Sequence, residues 1–513
     1  MWGIFKKFEK EKQKVKEKIS TKSNKENDLN MSIKKLERRE VKEVDTSLLS
    51  KNFKIDYNNL LNKEQKKALF SLQGQYLVIA GAGSGKTRTI VYRTAWLIEN
   101  GIESEKILMI TFTRKASEEM KERLENLFEG REIKTNITTF HSFCAKLIYK
   151  YRNIFNLGNF EIIEEDEREK LFKHFIEKFE FQKKYKGKFY SVDTILNNFS
   201  KIKNGNLKIE DIFKEQDKIK DILLLKSEYN KYKKERKIYE YDDLIKLVVR
   251  KLQENNEFLK VVKEKFEYIV VDEYQDSNSE QRKLLKLLVG ENGNLMVVGD
   301  DYQSIYGFRG ADFTNILKFG DDFPKAQLIK LEQNYRSSDE IIRYTNRIAK
   351  NFKLKYNKKI FGLGRNQERI HINSFKNIEE EGRYICEKII SYKESIPYED
   401  MAILYRNRYT IVVLEKLLQE YKIPYHKKSE ENKKGISLYT IHSSKGLEWE
   451  LVFVPTLLDG IFPSNLVDEN LEEEKRLYYV ACSRAKTYLY LTYPKFYYEK
   501  LGYFDKKSKF LNY

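Results

Sequence analysis

Eight consecutive residues constrain this chain more than any others: Ala80-Gly81-Ala82-Gly83-Ser84-Gly85-Lys86-Thr87. An apolar run, Tyr76–Ala80, precedes them and reads as a buried strand. Thr89–Ile98 follows with helical periodicity. Strand, glycine-rich loop, Lys-Thr and helix in that order form the setting of a phosphate-binding loop. Glycines let backbone N–H groups turn toward phosphate oxygens, and the helix N-terminus adds the positive end of its dipole. In that setting Ala80 to Gly85 cradle the phosphates, Lys86 reaches the β- and γ-phosphates, and Thr87 holds Mg²⁺. The strict pattern has glycine where this chain has Ala80. The expectation is an α/β fold built on parallel sheets that binds a nucleoside triphosphate.

Charge narrows the partners. The 513 residues carry a formal net charge of +19. Such an imbalance favours a polyanion, above all nucleic acid; a Lys-rich composition, in a chain also rich in Asn, Ile and Tyr, is the plainer explanation. Cys144, Cys386 and Cys482 lie far apart, with no C-x-x-C pair, and the five histidines lack ligand spacing. A reducing compartment without a zinc site is expected. No apolar run approaches the roughly 18–20 residues of a membrane span, and Met1–Phe5 followed by Lys6-Lys7 has no secretory core. A soluble, cytoplasmic chain without membrane contact follows.

The chain divides by texture. Residues 1–50 are Lys-, Glu-, Ser- and Asn-rich and read as a basic tail, solvated or loosely helical, or else as an arm for DNA or a partner. Residues 51–145 alternate strand and helix: Ile107–Phe112 reads as a strand and Lys115–Leu127 as a helix. Residues 146–238 read as a helical insertion. The β pattern returns in 239–325 with Tyr268–Val271 and Leu295–Val298. A second α/β domain, 326–495, has candidate strands Gln327–Leu331, Arg369–Ser374, Met401–Tyr405, Ile436–Ile441, Leu451–Val454 and Tyr488–Tyr493. Helical patterns at Asp339–Asn351, Ile378–Lys393, Ile411–Tyr421 and Glu472–Lys486 separate them. Residues 496–513 read as a tail.

The run Tyr268-Ile-Val-Val-Asp272-Glu273-Tyr274-Gln275-Asp276 places two carboxylates after a buried strand. In open parallel sheets, ligands bind at that edge. Asp272 offers a hard oxygen to Mg²⁺, and Glu273 suits the orientation or deprotonation of a water.

With these two motifs in place, a longer series becomes legible. It comprises Leu61–Gln65, the loop with Arg88, Thr111–Ala116, Thr139–Ser142, Asp272–Gln275, Val298–Ala311, Leu331–Ser337, Thr440–Glu448 and Tyr479–Ala485. The chain resembles superfamily 1 DNA helicases of the UvrD/Rep/PcrA type, from about residue 58 to 495. The resemblance implies two RecA-like domains, the first carrying the helical insertion, and an ATP- and Mg²⁺-dependent helicase that moves 3′→5′ on single-stranded DNA and meets duplex junctions. Gln65 resembles the glutamine that reads adenine. Arg88 and Tyr335 resemble the pair that sandwiches it, and Glu448 the carboxylate on the ribose hydroxyl. Gln303 resembles the sensor of the γ-phosphate, and Arg336 and Arg484 the arginines that reach it from the second domain, so that the site completes when the domains close. Phe112, His141, Tyr306, Phe308, Arg309 and His442 match positions that meet the DNA strand or couple it to ATP. Phe112 also reads as a strand-end core aromatic.

The departures are Phe308 where Trp is frequent, Ser483 for Thr, and Arg114 for Asn. The family's inserted 2B domain has no counterpart, because only eight residues, Lys427–Lys434, separate His426 from Gly435; that layout resembles helicase IV. A translocase that strips proteins from single strands, a non-catalytic DNA-binding scaffold and an RNA substrate remain alternatives. Repair or replication partners are expected, without a name.

Overall fold

The computed structural model describes residues 23–43, 53–205, 208–213, 215–365, 370–428, 434–464, 471–498 and 502–513. Its strands are β1 (Gln75–Ala80), β2 (Ile107–Thr111), β3 (Asn136–Thr139), β4 (Glu161–Ile162), β5 (Ile238–Tyr239), β6 (Tyr268–Val271), β7 (Asn294–Gly299), β8 (Gln327–Leu331), β9 (Ile370–Phe375), β10 (Met401–Tyr405), β11 (Tyr425–His426), β12 (Ile436–Thr440), β13 (Trp449–Val454), β14 (Ala485–Pro494), β15 (Phe496–Tyr498) and β16 (Gly502–Phe504). Two six-stranded sheets dominate, of order β3-β2-β6-β7-β1-β8 and β11-β12-β10-β13-β14-β9. The chain splits into two compact units. The first is Met1–Val78, Thr87–Gly299 and Tyr306–Ile329; the second is Ile79–Lys86, Asp300–Ile305 and Lys330–Tyr513.

In the first sheet β2 pairs parallel with β3 and β6, and β6 with β7; Ile110 faces Thr138 on one side and Val271 on the other. Every residue of β1, β2 and β6 is buried. Burial on both faces is why these strands read as unbroken apolar runs. Helix Lys63–Phe70 is started by a capping box between Asn62 and Gln65, and Arg114–Leu127 by the Thr113 hydroxyl.

One strand lies elsewhere than its sequence position suggests. Gln327–Leu331 was expected in the second domain, but β8 closes the end of the first sheet, beside β1. A short apolar run announces a strand without announcing its neighbour.

The insertion forms its own core from Phe172, Phe175, Ile195, Phe213, Ile222 and Leu225. Its two ends meet in a small parallel ladder, where Glu161 faces Ile238 and Ile162 faces Tyr239. At its base Lys203 and Lys233 neutralise Asp243 at 2.7 and 2.5 Å, while Tyr229 donates to Glu240 at 2.7 Å. Burial opposes ionisation of Glu240 and Asp243, yet the two lysines outweigh it and hold both carboxyls below their ordinary range.

The second sheet is parallel throughout. Met401, Ile403 and Leu451 face one apolar layer, Ala402, Leu404 and Val452 the other. The helical pattern at Glu472–Lys486 ends earlier than expected: the helix is Leu471–Cys482, and Lys486 already belongs to β14. The expected C-terminal tail is also structured. β15 and β16 pair antiparallel, and Phe510, fully buried, stacks on Tyr478 at 5.2 Å and meets Phe462 edge-on.

The expected N-terminal tail divides. Residues 1–22 and 44–50 lie outside the described residues. Residues 23–37 are helical and bury Leu29, Ile33 and Leu36. Ser32 donates to Asp321 at 2.5 Å, and Val41 N donates to Leu328 O at 2.8 Å while Leu328 N donates back to Arg39 O at 3.1 Å. The i, i+4, i+7 spacing of those three apolar residues is the signal that the charged surroundings concealed.

The three cysteines are free and buried. Among the described residues no helix is long and apolar enough to cross a membrane.

Candidate active site

The glycine-rich loop follows β1 directly. Gly83 and Gly85 have φ of +68° and +78°, a region that L side chains avoid. Packing adds a second requirement: a Cβ on Gly83 would stand 2.6 Å from Arg336 Cβ, and one on Gly81 2.4 Å from Ile360 Cδ1. Ala80 is the last residue of β1, fully buried and without positive φ, so a methyl group is accommodated there. Ser84 Oγ donates to Gly81 O at 2.8 Å and braces the turn. Asn334 makes a second brace. Its amide donates to Ala82 O at 2.8 Å, and its oxygen accepts from Arg336 N at 2.7 Å and Ser337 N at 2.9 Å. Tyr335 N donates to Gly83 O at 2.9 Å. Asn334 belongs to the Leu331–Ser337 motif, yet its role as a brace is visible only in three dimensions.

In the first unit the helix that Lys86 begins carries Thr87 in its first turn. Thr87 Oγ1 donates to Asp272 Oδ2 at 3.5 Å. Asp272 follows β6, and its other oxygen accepts from Glu273 N at 2.9 Å. A hydroxyl and a buried carboxylate facing each other fit the donor set of Mg²⁺. Glu273 is left-handed, with φ +51°, and its carboxylate accepts from Gln275 Nε2. A non-glycine residue in that region costs on the order of 1 kcal/mol, which the surrounding bonds offset. Gln65 is buried, and its side-chain oxygen accepts from Asn62 N at 3.1 Å, which fixes the amide. Arg88 donates to Leu60 O at 2.9 Å and lies over the Tyr92 ring at 5.1 Å.

In the second unit Arg484 is 1% exposed and is held on every side. It donates to Val480 O, Leu447 O, Ser483 Oγ and Gln303 Oε1, all at 3.0–3.1 Å. Ser483 therefore supplies the hydroxyl that the usual threonine would. Gln303 donates onward to Asp300 Oδ2 at 2.6 Å. Arg336 and Glu448, expected on different parts of the nucleotide, are paired with one another at 2.6 Å; Arg336 also donates to Ser483 O at 3.0 Å. Burial works against ionisation of Glu448, but Arg336, and then Lys486 at 3.4 Å, hold its carboxyl below the ordinary range. Tyr335 is 38% exposed, with its hydroxyl donating to Gln333 at 3.1 Å.

The residues expected on the DNA strand follow β2, β3 and β7 of the first sheet and β12 of the second. Phe112 comes after β2, is half-buried, and meets Phe140 edge-on at 5.7 Å. His141 comes after β3, 3.2 Å from Asp242 Oδ1 and edge-on to Tyr241. Tyr306 and Phe308 follow β7, partly exposed, with ring centres 6.1 Å apart. The backbone of Arg309 completes that turn; its side chain lies outside the described ones. The insertion helix Val192–Gly205 packs against the same turn. In the second unit His442 is half-buried and opens the turn after β12.

Sequence reasoning missed a cavity of about 440 Å³ at the root of the insertion, lined by Lys233, Lys234, Lys237, Tyr239, Lys246 and Arg250 among others. Burial, and next the charge of Lys203, lower the basicity of Lys246. Lysines three or four apart on one helix end were the available signal.

Comparison with known proteins concerns the chain as a whole. Residues 61–324 match the model of the UvrD/REP helicase N-terminal domain. Residues 329–432 and 425–495 match that of the UvrD-like helicase C-terminal domain. The ATP-dependent DNA helicase PcrA of Staphylococcus aureus (strain NCTC 8325 / PS 47) is 35% identical over 372 residues, 72% of this chain and 50% of the relative. That of Staphylococcus epidermidis (strain ATCC 12228 / FDA PCI 1200) is 34% identical over 370 residues, 71% and 50% respectively. The chain thus spans about half the length of these curated relatives.

Proposed function

Because this chain belongs to the UvrD/REP helicase family, we propose that it is a cytoplasmic, ATP- and Mg²⁺-dependent DNA helicase that translocates 3′→5′ on single-stranded DNA and opens duplex. One observation carries the catalytic part. Thr87 and Asp272 face one another at 3.5 Å, with Glu273 the next residue. Lys86 would take the β- and γ-phosphates, and Thr87 and Asp272 would hold Mg²⁺, which would supply neutralisation of the phosphate charge. Glu273 orients the attacking water and accepts its proton. Arg484, fixed by Gln303, neutralises charge that develops on the γ-phosphate, and Arg336 joins it on leaving Glu448. Gln65 serves the adenine edge, and Arg88 and Tyr335 its faces; Glu448, released from Arg336, serves the ribose. Phe112, Tyr306 and Phe308 stack on bases without regard to sequence, at roughly 1–3 kcal/mol each. Arg309, His141 and His442 complete the track. The direction of travel rests on the family resemblance.

A second reading has a specific observation behind it. The C-terminal family model matches in two pieces that meet at residues 425–432, and eight residues separate His426 from Gly435. That supports a motor without a 2B domain, which strips proteins from single strands and unwinds little. ATP hydrolysis with and without single-stranded DNA, followed by strand displacement on 3′- and 5′-tailed duplexes, tests both. Stimulation with displacement from the 3′ tail supports the helicase. Stimulation without displacement supports the translocase, and no stimulation overturns both.

A further inference from the structure

Lys358 had no role in the motifs, yet its side chain is fully buried in the second unit. Its ammonium stands 2.6 Å from Asp300 Oδ1 and 2.7 Å from Asp301 Oδ1, and it donates to Ala80 O, at the start of the phosphate loop, at 3.1 Å. It also lies 3.6 Å from the centre of the Tyr302 ring. Both acids are held on their other sides. Asp300 accepts from Gln303 Nε2 at 2.6 Å and Tyr302 N at 3.0 Å, and Asp301 accepts from Tyr356 N at 2.7 Å. Arg476, buried, donates to Asp301 O at 3.0 Å.

Lys358 is the cation in contact with both carboxylates, whereas Arg476 meets Asp301 through its backbone carbonyl and pairs with Glu472 at 4.0 Å. Burial opposes ionisation of Asp300, and Lys358 first, Lys86 second, keep it ionised. A buried carboxylate that loses its counter-ion recruits another.

Resting on the nucleotide-binding reading above, we propose that Lys358 is a positioning residue for that site: it is the standing counter-ion of Asp300, a role that otherwise falls to Lys86, and so keeps Lys86 directed to the phosphates of ATP. Through Ala80 O and Asp300 it also fixes the loop and Gln303 to one point. Without Lys358 the pull of Asp300 on Lys86 competes with the γ-phosphate. Nucleotide affinity falls although every residue that touches the nucleotide is still present.

The test is equilibrium binding of ATP with Mg²⁺ to the full chain, beside single-stranded DNA binding and thermal melting. Lys358→Met should weaken ATP binding roughly tenfold, the scale of a charge-assisted hydrogen bond, and leave DNA affinity within twofold. Asp300→Asn/Lys358→Met removes the competing charge and should restore ATP affinity. Lys358→Arg, which keeps the charge, should stay near wild type. Neutralising Asp300 would also relieve a purely structural cost, so ATP affinity is read beside melting: loss and recovery of ATP affinity that merely track the melting temperature overturn the proposal. If Lys358→Met does not fold, Asp300→Asn alone decides: it should bind ATP as tightly as wild type or tighter, and weaker binding overturns the proposal. Unchanged ATP affinity in folded Lys358→Met, or no recovery in the folded double variant, overturns it too. Lys86→Ala separates this from the wider reading. If that variant binds ATP like wild type, the nucleotide site itself is wrong. If it loses ATP while Lys358→Met keeps it, only the counter-ion role falls.

Discussion

Arg484 is oriented by four acceptors before any ligand arrives. Its ordering entropy is therefore met in folding, and in the proposed role its guanidinium would serve the transition state rather than ground-state binding. Arg484→Ala should lower ATP turnover by about 10³-fold or more while ATP affinity changes little, measured by single-turnover hydrolysis and equilibrium binding; equal loss of both would make Arg484 structural. A different residue governs stability against pH. Glu381 is buried among Thr456 and Thr492, which donate to it at 2.6–3.2 Å, yet burial wins and pushes its carboxyl up to about 7. The folded state then holds a proton that the unfolded chain releases at an ordinary value of 4.5. Its contribution is complete below that value and is lost as pH rises through about 7. Glu381→Gln should therefore be more stable than wild type at pH 8, by roughly 3 kcal/mol at 1.36 kcal/mol per unit, with the gap closing toward pH 4.5; urea unfolding at the two pH values measures it. At this scale the sequence announces Thr87, Asp272 and Arg484, because each belongs to a fixed spacing. It does not announce the Arg336–Glu448 pair or buried Lys358, since pairing across more than a hundred residues and the burial of a lysine are properties of the folded chain.

Elements divide the DNA track into stacking and charge. The turn after β7 offers Tyr306 and Phe308, and the insertion helix Val192–Gly205 packs against it. Phe308→Ala should weaken single-stranded DNA binding by roughly 1–3 kcal/mol with an unchanged salt slope, because stacking releases no counter-ions. The basic cavity at the insertion's root should do the reverse. Lys234→Glu with Lys237→Glu should flatten the salt dependence of binding to tailed duplex, by about one unit of slope for each lysine–phosphate ion pair removed. Fluorescence anisotropy across a salt series distinguishes the two. A flattened slope for Phe308→Ala, or an unaltered one for the lysine pair, contradicts these roles. The strands were legible because buried parallel strands are apolar throughout. The sheet that β8 joins was not, because hydrogen-bonding partners leave no mark on a five-residue run. The helix ending at Cys482 was overrun for a related reason: Ser483-Arg484-Ala485-Lys486 contains no Gly or Pro to stop a helix, and pairing with β13 makes the chain a strand from Ala485.

Across the whole molecule, the proposed function rests on the net charge of +19 and the motif series, and both were readable without a structure. The folded parts of the two termini were not: Lys and Glu crowd residues 23–43, where three apolar side chains do the anchoring, and the aromatic residues of the C-terminal segment follow no helical or strand period. The N-terminal anchor also protects. β8 ends its sheet, and an end strand with open N–H and C=O groups is a template on which another chain can build. Here residues 39–41 exchange hydrogen bonds with Leu328, and Leu36 lies against the site where a Cβ on Gly320 would be 3.2 Å away. A chain begun at residue 53 keeps every motif yet presents a bare β-edge beside an uncovered apolar socket. Light scattering should find that it self-associates at concentrations where a chain begun at residue 23 stays dispersed. The helix and strand-like turn before residue 43 thus serve as a built-in seal, closing an edge and a socket that the rest of the fold leaves open.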